Sequence, residues 1–243
     1  MQRSAPRPSR SRTRTRVRML ACAAVPVMIV AAGCSSDSDG GGDADKPAAT
    51  ASKAAPKVAP AKFTTLPADP CKSIAAKTIT DLVPKAKDKS GSAGKSSDIT
   101  TRGSCSWNGL DDNGVKGSQY RWLDISLMRY DSEEGLGSGQ DRAADYYKKE
   151  VAKARATQGA KGMKAAPAAG VGTEATAVTY SVTKTGESFG YATVVARSEN
   201  VVITLTYNGA GYAGAKSPAA SDLVKGATKA TKEAVAAVPA ATE

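Results

Sequence analysis

The sequence predicts an α+β domain, an antiparallel sheet with helices packed on it. Three observations predict it. Apolar and polar residues alternate along several runs, most plainly at residues 201–207, as they do in half-buried antiparallel strands. Residues 140–157 and 217–239 instead carry their apolar positions at helical spacing. The segments follow one another as α-β-β-α-β-β-β-α, and short turns join the last three strands into a meander.

Each element has a local reason. Asp69-Pro70 reads as an N-cap followed by proline in the first helical position, and Cys71, Ile74, Ile79 and Leu82 continue at helical spacing until Pro84. Residues 85–103 are polar and rich in glycine and serine, which predicts a loop. Residues 104–107 make a short strand that ends at Asn108-Gly109. Residues 119–130 make a longer one, with Leu123, Ile125 and Leu127 on one face and Trp122, Asp124, Ser126 and Met128 on the other. In the second helix Ala143, Tyr147, Val151 and Ala154 form the inner stripe, and Gly159 is the stop signal. Strands at 173–183, 188–197 and 201–207 follow. Ser217-Pro218 opens the last helix, with Leu223, Ala227, Ala230 and Ala234 inward; Gly226 weakens it by roughly 1 kcal/mol.

The first 33 residues belong to something else. Seven arginines and no acid occupy residues 1–18, and fifteen uncharged residues run from Met19 to Gly33. A basic segment followed by a short apolar core is the pattern of a secretory signal, and the core falls short of the ~20 residues a spanning helix needs. Val30-Ala31-Ala32-Gly33-Cys34 resembles a bacterial lipobox, with Ala31 where leucine is commonest. The resemblance implies that residues 1–33 are removed and that Cys34 carries a diacylglyceryl anchor in a membrane's outer face. The complete chain has 34 basic and 23 acidic residues; removing the arginine segment leaves 27 against 23. The mature protein is thus only slightly basic, and no nucleic-acid partner is implied.

Residues 35–62 contain a single large apolar side chain, Val58, and cannot bury enough surface to offset their ordering entropy. They predict a disordered tether, with a root-mean-square reach of roughly 30 Å. The domains are therefore expected to be a signal at 1–33, a lipidated N-terminus and tether at 34–62, and one folded domain at 63–243.

Four cysteines are present. Cys22 lies in the signal and Cys34 takes the lipid, which leaves Cys71 and Cys105 as an even pair in an exported domain, where disulfides persist. Closing that 34-residue separation stabilises by roughly 3–4 kcal/mol on the chain-entropy estimate.

Several motifs suggest chemistry, and their surroundings argue against each. Gly186-Glu187-Ser188-Phe189-Gly190 matches G-x-S-x-G, but that elbow needs a strand-to-helix turn and a histidine base, and the chain has no histidine. Ser92-Ala93-Gly94-Lys95 and Lys184-Thr185-Gly186 match S-x-x-K and K-T-G, yet the first lies in a solvated stretch where lysine stays protonated. The pairs Asp111-Asp112 and Glu133-Glu134 sit in predicted loops and offer carboxylates without a selected partner. No cofactor or metal set is expected. Residues 207–214 are expected to form a mobile loop presenting Tyr207 and Tyr212, a candidate contact region.

Leu66-Pro67-Ala68-Asp69-Pro70-Cys71 opening a helix, and Ser104-Cys105-Ser106-Trp107 after it, stand behind the lipobox and tether. Together they resemble the actinobacterial lipoproteins grouped as domain of unknown function 3558, over residues 1 to about 207. The resemblance implies a lipoprotein on the outer face of the cytoplasmic membrane, with a disulfide, no established activity, and Trp107 packed in the core. The expected role is non-enzymatic binding of an envelope protein or an amphiphile. The competing expectations are a carboxylate-dependent cell-wall hydrolase or transferase, and a lipid carrier between membrane and wall.

Overall fold

The computed structural model describes residues 58–240, which belong to one compact unit. The expected signal, Cys34 and the tether up to residue 57 lie outside the described residues. The elements are a 3₁₀ turn at Pro70–Ser73, α1 (Ala76–Leu82), β1 (Ser92–Ala93), β2 (Arg102–Asp112), a second 3₁₀ turn at Gly114–Lys116, β3 (Ser118–Arg129), α2 (Gly139–Arg155), β4 (Lys161–Pro167), β5 (Glu174–Lys184), β6 (Glu187–Ser198), β7 (Val201–Tyr212) and α3 (Ala220–Ala240). The strands form one sheet in the order β1-β2-β3-β7-β6-β5-β4, and every neighbouring pair is antiparallel. The domain is α+β, as expected.

The strands' period of two sorts their side chains onto two faces. On one face Leu123, Ile125 and Leu127 of β3, Val194 of β6 and Ile203 and Leu205 of β7 meet Leu223, Ala227, Ala230 and Ala234 of α3 in the main core. Each buried leucine or isoleucine contributes about 1.5–3 kcal/mol here. On the other face α2 covers a smaller patch, where Ala143 and Tyr147 sit over Val195 and Val202. Ser138 caps α2 by accepting a hydrogen bond from the Asp141 N–H at 3.1 Å.

The first helix is broken. Asp69 accepts from the Cys71 N–H at 3.0 Å and Pro70 occupies the first turn, but Ile74 and Ala75 are extended before α1 begins. The break lets Ile74 point into the core, where it is buried. The new helix start is then capped from α3: Glu233 accepts from the Ala75 N–H at 3.0 Å and from the Thr78 hydroxyl at 2.7 Å. Cys71 and Cys105 are disulfide-bonded, with Cα atoms 5.1 Å apart, which staples the turn before α1 onto β2. Trp107 is buried two residues further on.

Several element limits differ from those expected. The loop expected at 85–103 includes β1, which pairs Ser92 and Ala93 with β2. The strand expected at 104–107 runs on to Asp112, because β3 offers partners along its whole length. Gly109 is therefore no turn residue; a Cβ there would meet the Lys85 and Pro84 carbonyl oxygens at 2.8 and 2.7 Å, so glycine admits the crossing chain. An unpredicted edge strand, β4, flanks β5. Finally, the expected mobile loop at 207–214 is strand as far as Tyr212. At the other end, Pro60 and Ala61, expected in the tether, already touch the domain: the Pro60 carbonyl accepts from Gln140 Nε2 at 3.4 Å.

A cleft on the open half of the sheet

The helix α2 covers only part of its face. Beyond it the register places Ser106, Asp124, Thr206 and Thr193 side by side across four strands, with Ser104, Ser126 and Thr204 in the next row. Asp124, Ser126, Thr193, Thr204 and Thr206 form the floor of a cleft of about 300 Å³. Its wall is the C-terminal half of α2, with Tyr146, Glu150 and Lys153, and Tyr180 of β5 flanks it. A second depression of about 470 Å³ shares Ser126 and continues over β2 to Arg102 and Lys95.

The sheet past the floor is aromatic. Tyr120, Trp122, Tyr180, Phe189, Tyr191 and Tyr212 all occupy this face by register, half of the chain's twelve aromatic residues. Tyr180 and Tyr191 stack with ring centres 5.0 Å apart and planes within 5°. Phe189 stands edge-on between Tyr120 and Tyr212, at 6.0 and 6.2 Å. Lys184 donates to the Tyr191 hydroxyl at 2.8 Å, with its ammonium 5.3 Å from the Tyr191 ring centre. Trp122 is 36% exposed, and Leu110 beside this region 44%. Large aromatic side chains usually go to the core first, so half of them on an uncovered sheet face points to contact with something else.

Asp124 is the chemically unusual member. It lies on the central part of β3, half-buried, and burial raises its carboxyl above the ordinary carboxylate range. No hydrogen bond or charge within the described residues offsets that cost. A desolvated acid without a partner is costly to keep, and such groups concentrate at functional sites. Across the cleft, Glu150 pairs with Lys153 at 3.4 Å. Burial, and then Glu150, push the Tyr146 hydroxyl up to about 12. Thr193 and Thr206 share one hydrogen bond at 3.2 Å.

The residues singled out from sequence lie elsewhere. Asp112 closes the β2–β3 turn by accepting from the Gly114 N–H at 2.9 Å and the Ser118 hydroxyl at 2.8 Å, bonds that lower its pKa. Asp111 precedes it at the end of β2, Glu133 is paired with Arg142, and Glu134 is exposed nearby. The two acidic pairs serve separate turns. Ser92 lies in β1 and Lys184 ends β5, so the S-x-x-K and K-T-G matches fall on an edge strand and a hairpin turn. Cys71 and Cys105 form their bridge on the core side. Tyr207 is buried on the α3 face and donates to the Leu82 carbonyl at 2.6 Å, while Tyr212 belongs to the aromatic face. Among the described residues, no group of three or more His, Cys, Asp or Glu comes together to hold a metal ion. No described helix is long and apolar enough to cross a membrane.

Sequence patterning put Asp124 and Trp122 together on one face of a strand. It could not show that α2 leaves them uncovered beside its flank. Comparison of the chain with protein-family models, with curated proteins and with solved structures returned no match.

Proposed function

We propose that the chain is a lipid-anchored binding protein of the cell envelope, held by Cys34 to the outer face of the cytoplasmic membrane and presenting the α2 cleft to a ligand. The observation that carries the binding reading is the uncovered half-face itself, with the unpaired Asp124 one register row from Trp122, Tyr191 and Tyr180. The arginine-rich leader, the lipobox-like segment and the resemblance to the actinobacterial lipoproteins of domain of unknown function 3558 support the anchored location. A non-enzymatic role fits a floor of serine and threonine hydroxyls around a single acid, Asp124, with Glu150 on the wall already paired to Lys153.

The test uses the full chain in an actinomycete host, with a photo-crosslinking residue in place of Tyr191 and, as control, in place of Lys225 on the exposed side of α3. An adduct formed at the Tyr191 position and missing at the control supports the cleft as the binding site. Equal labelling at both positions contradicts it.

One observation favours a second reading. Asp124 and Glu150 line the same cleft, which is where a carboxylate-dependent hydrolase would place its acids. Turnover of a cell-wall polymer that is lost in both Asp124→Asn and Glu150→Gln would establish it over simple binding.

A further inference from the structure

Resting on the binding reading, we infer that the cleft takes an uncharged polysaccharide strand, stacked on the Tyr180, Tyr191 and Trp122 side and hydrogen-bonded to Asp124 and the floor hydroxyls. A pyranose ring has apolar C–H faces and a polar hydroxyl edge. A site that holds one therefore needs aromatic surface beside closely spaced acceptors and donors, in a largely pre-formed cleft. Both halves are present here in adjacent register rows. Asn108, Trp122, Asn208, Tyr191 and Tyr180 form one, and Ser106, Asp124, Thr206 and Thr193 form the next.

Charge selects within the possible occupants. Asp124 is the sole formal charge in those two rows, and it lacks a donor among the described residues. A phosphate- or carboxylate-rich chain would meet repulsion there, whereas sugar hydroxyls or amides supply the missing donors in charge-assisted bonds. An acyl chain fits poorly, because it would cover the carboxylate and hydroxyls without hydrogen-bonding any of them. The strip from β2 to β5 spans four strand spacings, about 19 Å, which accommodates several linked rings rather than one.

The test titrates the full chain, purified in detergent from its membrane, with the β-1,4-linked tetramers of glucose and of N-acetylglucosamine. Calorimetry and tryptophan emission are the readouts. Trp122 is the exposed tryptophan and Trp107 the buried one, so a bound sugar changes the Trp122 signal. Saturable binding of at least one tetramer is expected. Tyr191→Ala should weaken it roughly two- to tenfold, and Asp124→Asn roughly ten- to a hundredfold. Lys225→Ala should leave it unchanged. Asp124→Asn removes a charge without changing shape, so its failure to bind is not a failure to fold; unfolding curves verify this. If neither tetramer binds, or if both cleft variants bind like the wild type, the polysaccharide assignment is overturned. In that event an adduct to a protein at the Tyr191 position leaves the cleft a binding site for another class of partner. Without such an adduct, both readings fall.

Discussion

Asn200 is fully buried in the turn between β6 and β7, and its side chain serves three backbone groups. Its oxygen accepts from the Phe63 N–H at 2.9 Å, and its nitrogen donates to the carbonyls of Phe63 at 2.9 Å and Tyr130 at 2.8 Å. Asn200→Ala leaves those groups buried without partners and should cost about 2–4 kcal/mol in a denaturant titration. Asp124 should behave in the opposite sense. Burial raises its folded pKa, so just above the ordinary carboxylate value the folded protein holds a proton that the unfolded chain has released. Stability therefore falls as pH rises through that window, and the full penalty persists at neutral pH. Asp124→Asn should raise Tm at pH 7, with the gain disappearing below pH 4. Asp98 works against this at the acid end. Hydrogen bonds from Thr101 and Thr100 lower its pKa to about 2, so its contribution is present above its unfolded pKa and lost as pH falls toward that value. The roles of Asn200 and Asp124 were not legible from the sequence, because both depend on which groups the fold brings alongside.

At the level of elements, α3 shows how far propensity carries and where it stops. Its inward stripe of Leu223, Ala227, Ala230 and Ala234 was readable from spacing, and all four are buried. Gly226 read as a simple weakness. In the structure a Cβ there would lie 2.6 Å from Leu82 Cδ2 and 3.1 Å from Tyr207 Cε1, so the glycine lets α3 approach α1 and β7. Gly226→Ala gains roughly 1 kcal/mol of helix propensity and loses about 1–3 kcal/mol to overpacking; thermal unfolding should show no net gain. The disulfide was readable from cysteine arithmetic, and replacing both Cys71 and Cys105 by serine should remove about 3–4 kcal/mol. The edge strand β4 was not readable. Its seven residues, Lys-Gly-Met-Lys-Ala-Ala-Pro, are nearly all exposed and carry no alternation, so pairing with β5 alone defines them. The break at Ile74 was missed for a related reason: its cap comes from Glu233, 159 positions away in the chain from Ile74.

For the whole molecule, the proposed lipid anchor at Cys34 would hold the cleft beside α2 close to the membrane surface. The α+β class followed from alternation and helical spacing. The cleft did not, because it lies along the flank of α2, where the sheet extends beyond the helix packed on it, and no local pattern records that. Cys34→Ala should release the protein from membrane fractions; retention would remove the anchor from the account. The most direct measurement is native mass spectrometry of the full chain, extracted gently from the membranes of its producing cells, beside the Tyr191→Ala variant. The account predicts a mature chain beginning at acylated Cys34. It also predicts a fraction of wild type carrying added mass in whole sugar units, reduced in the variant. An unlipidated chain, or bound mass that is identical in the two proteins, would contradict it.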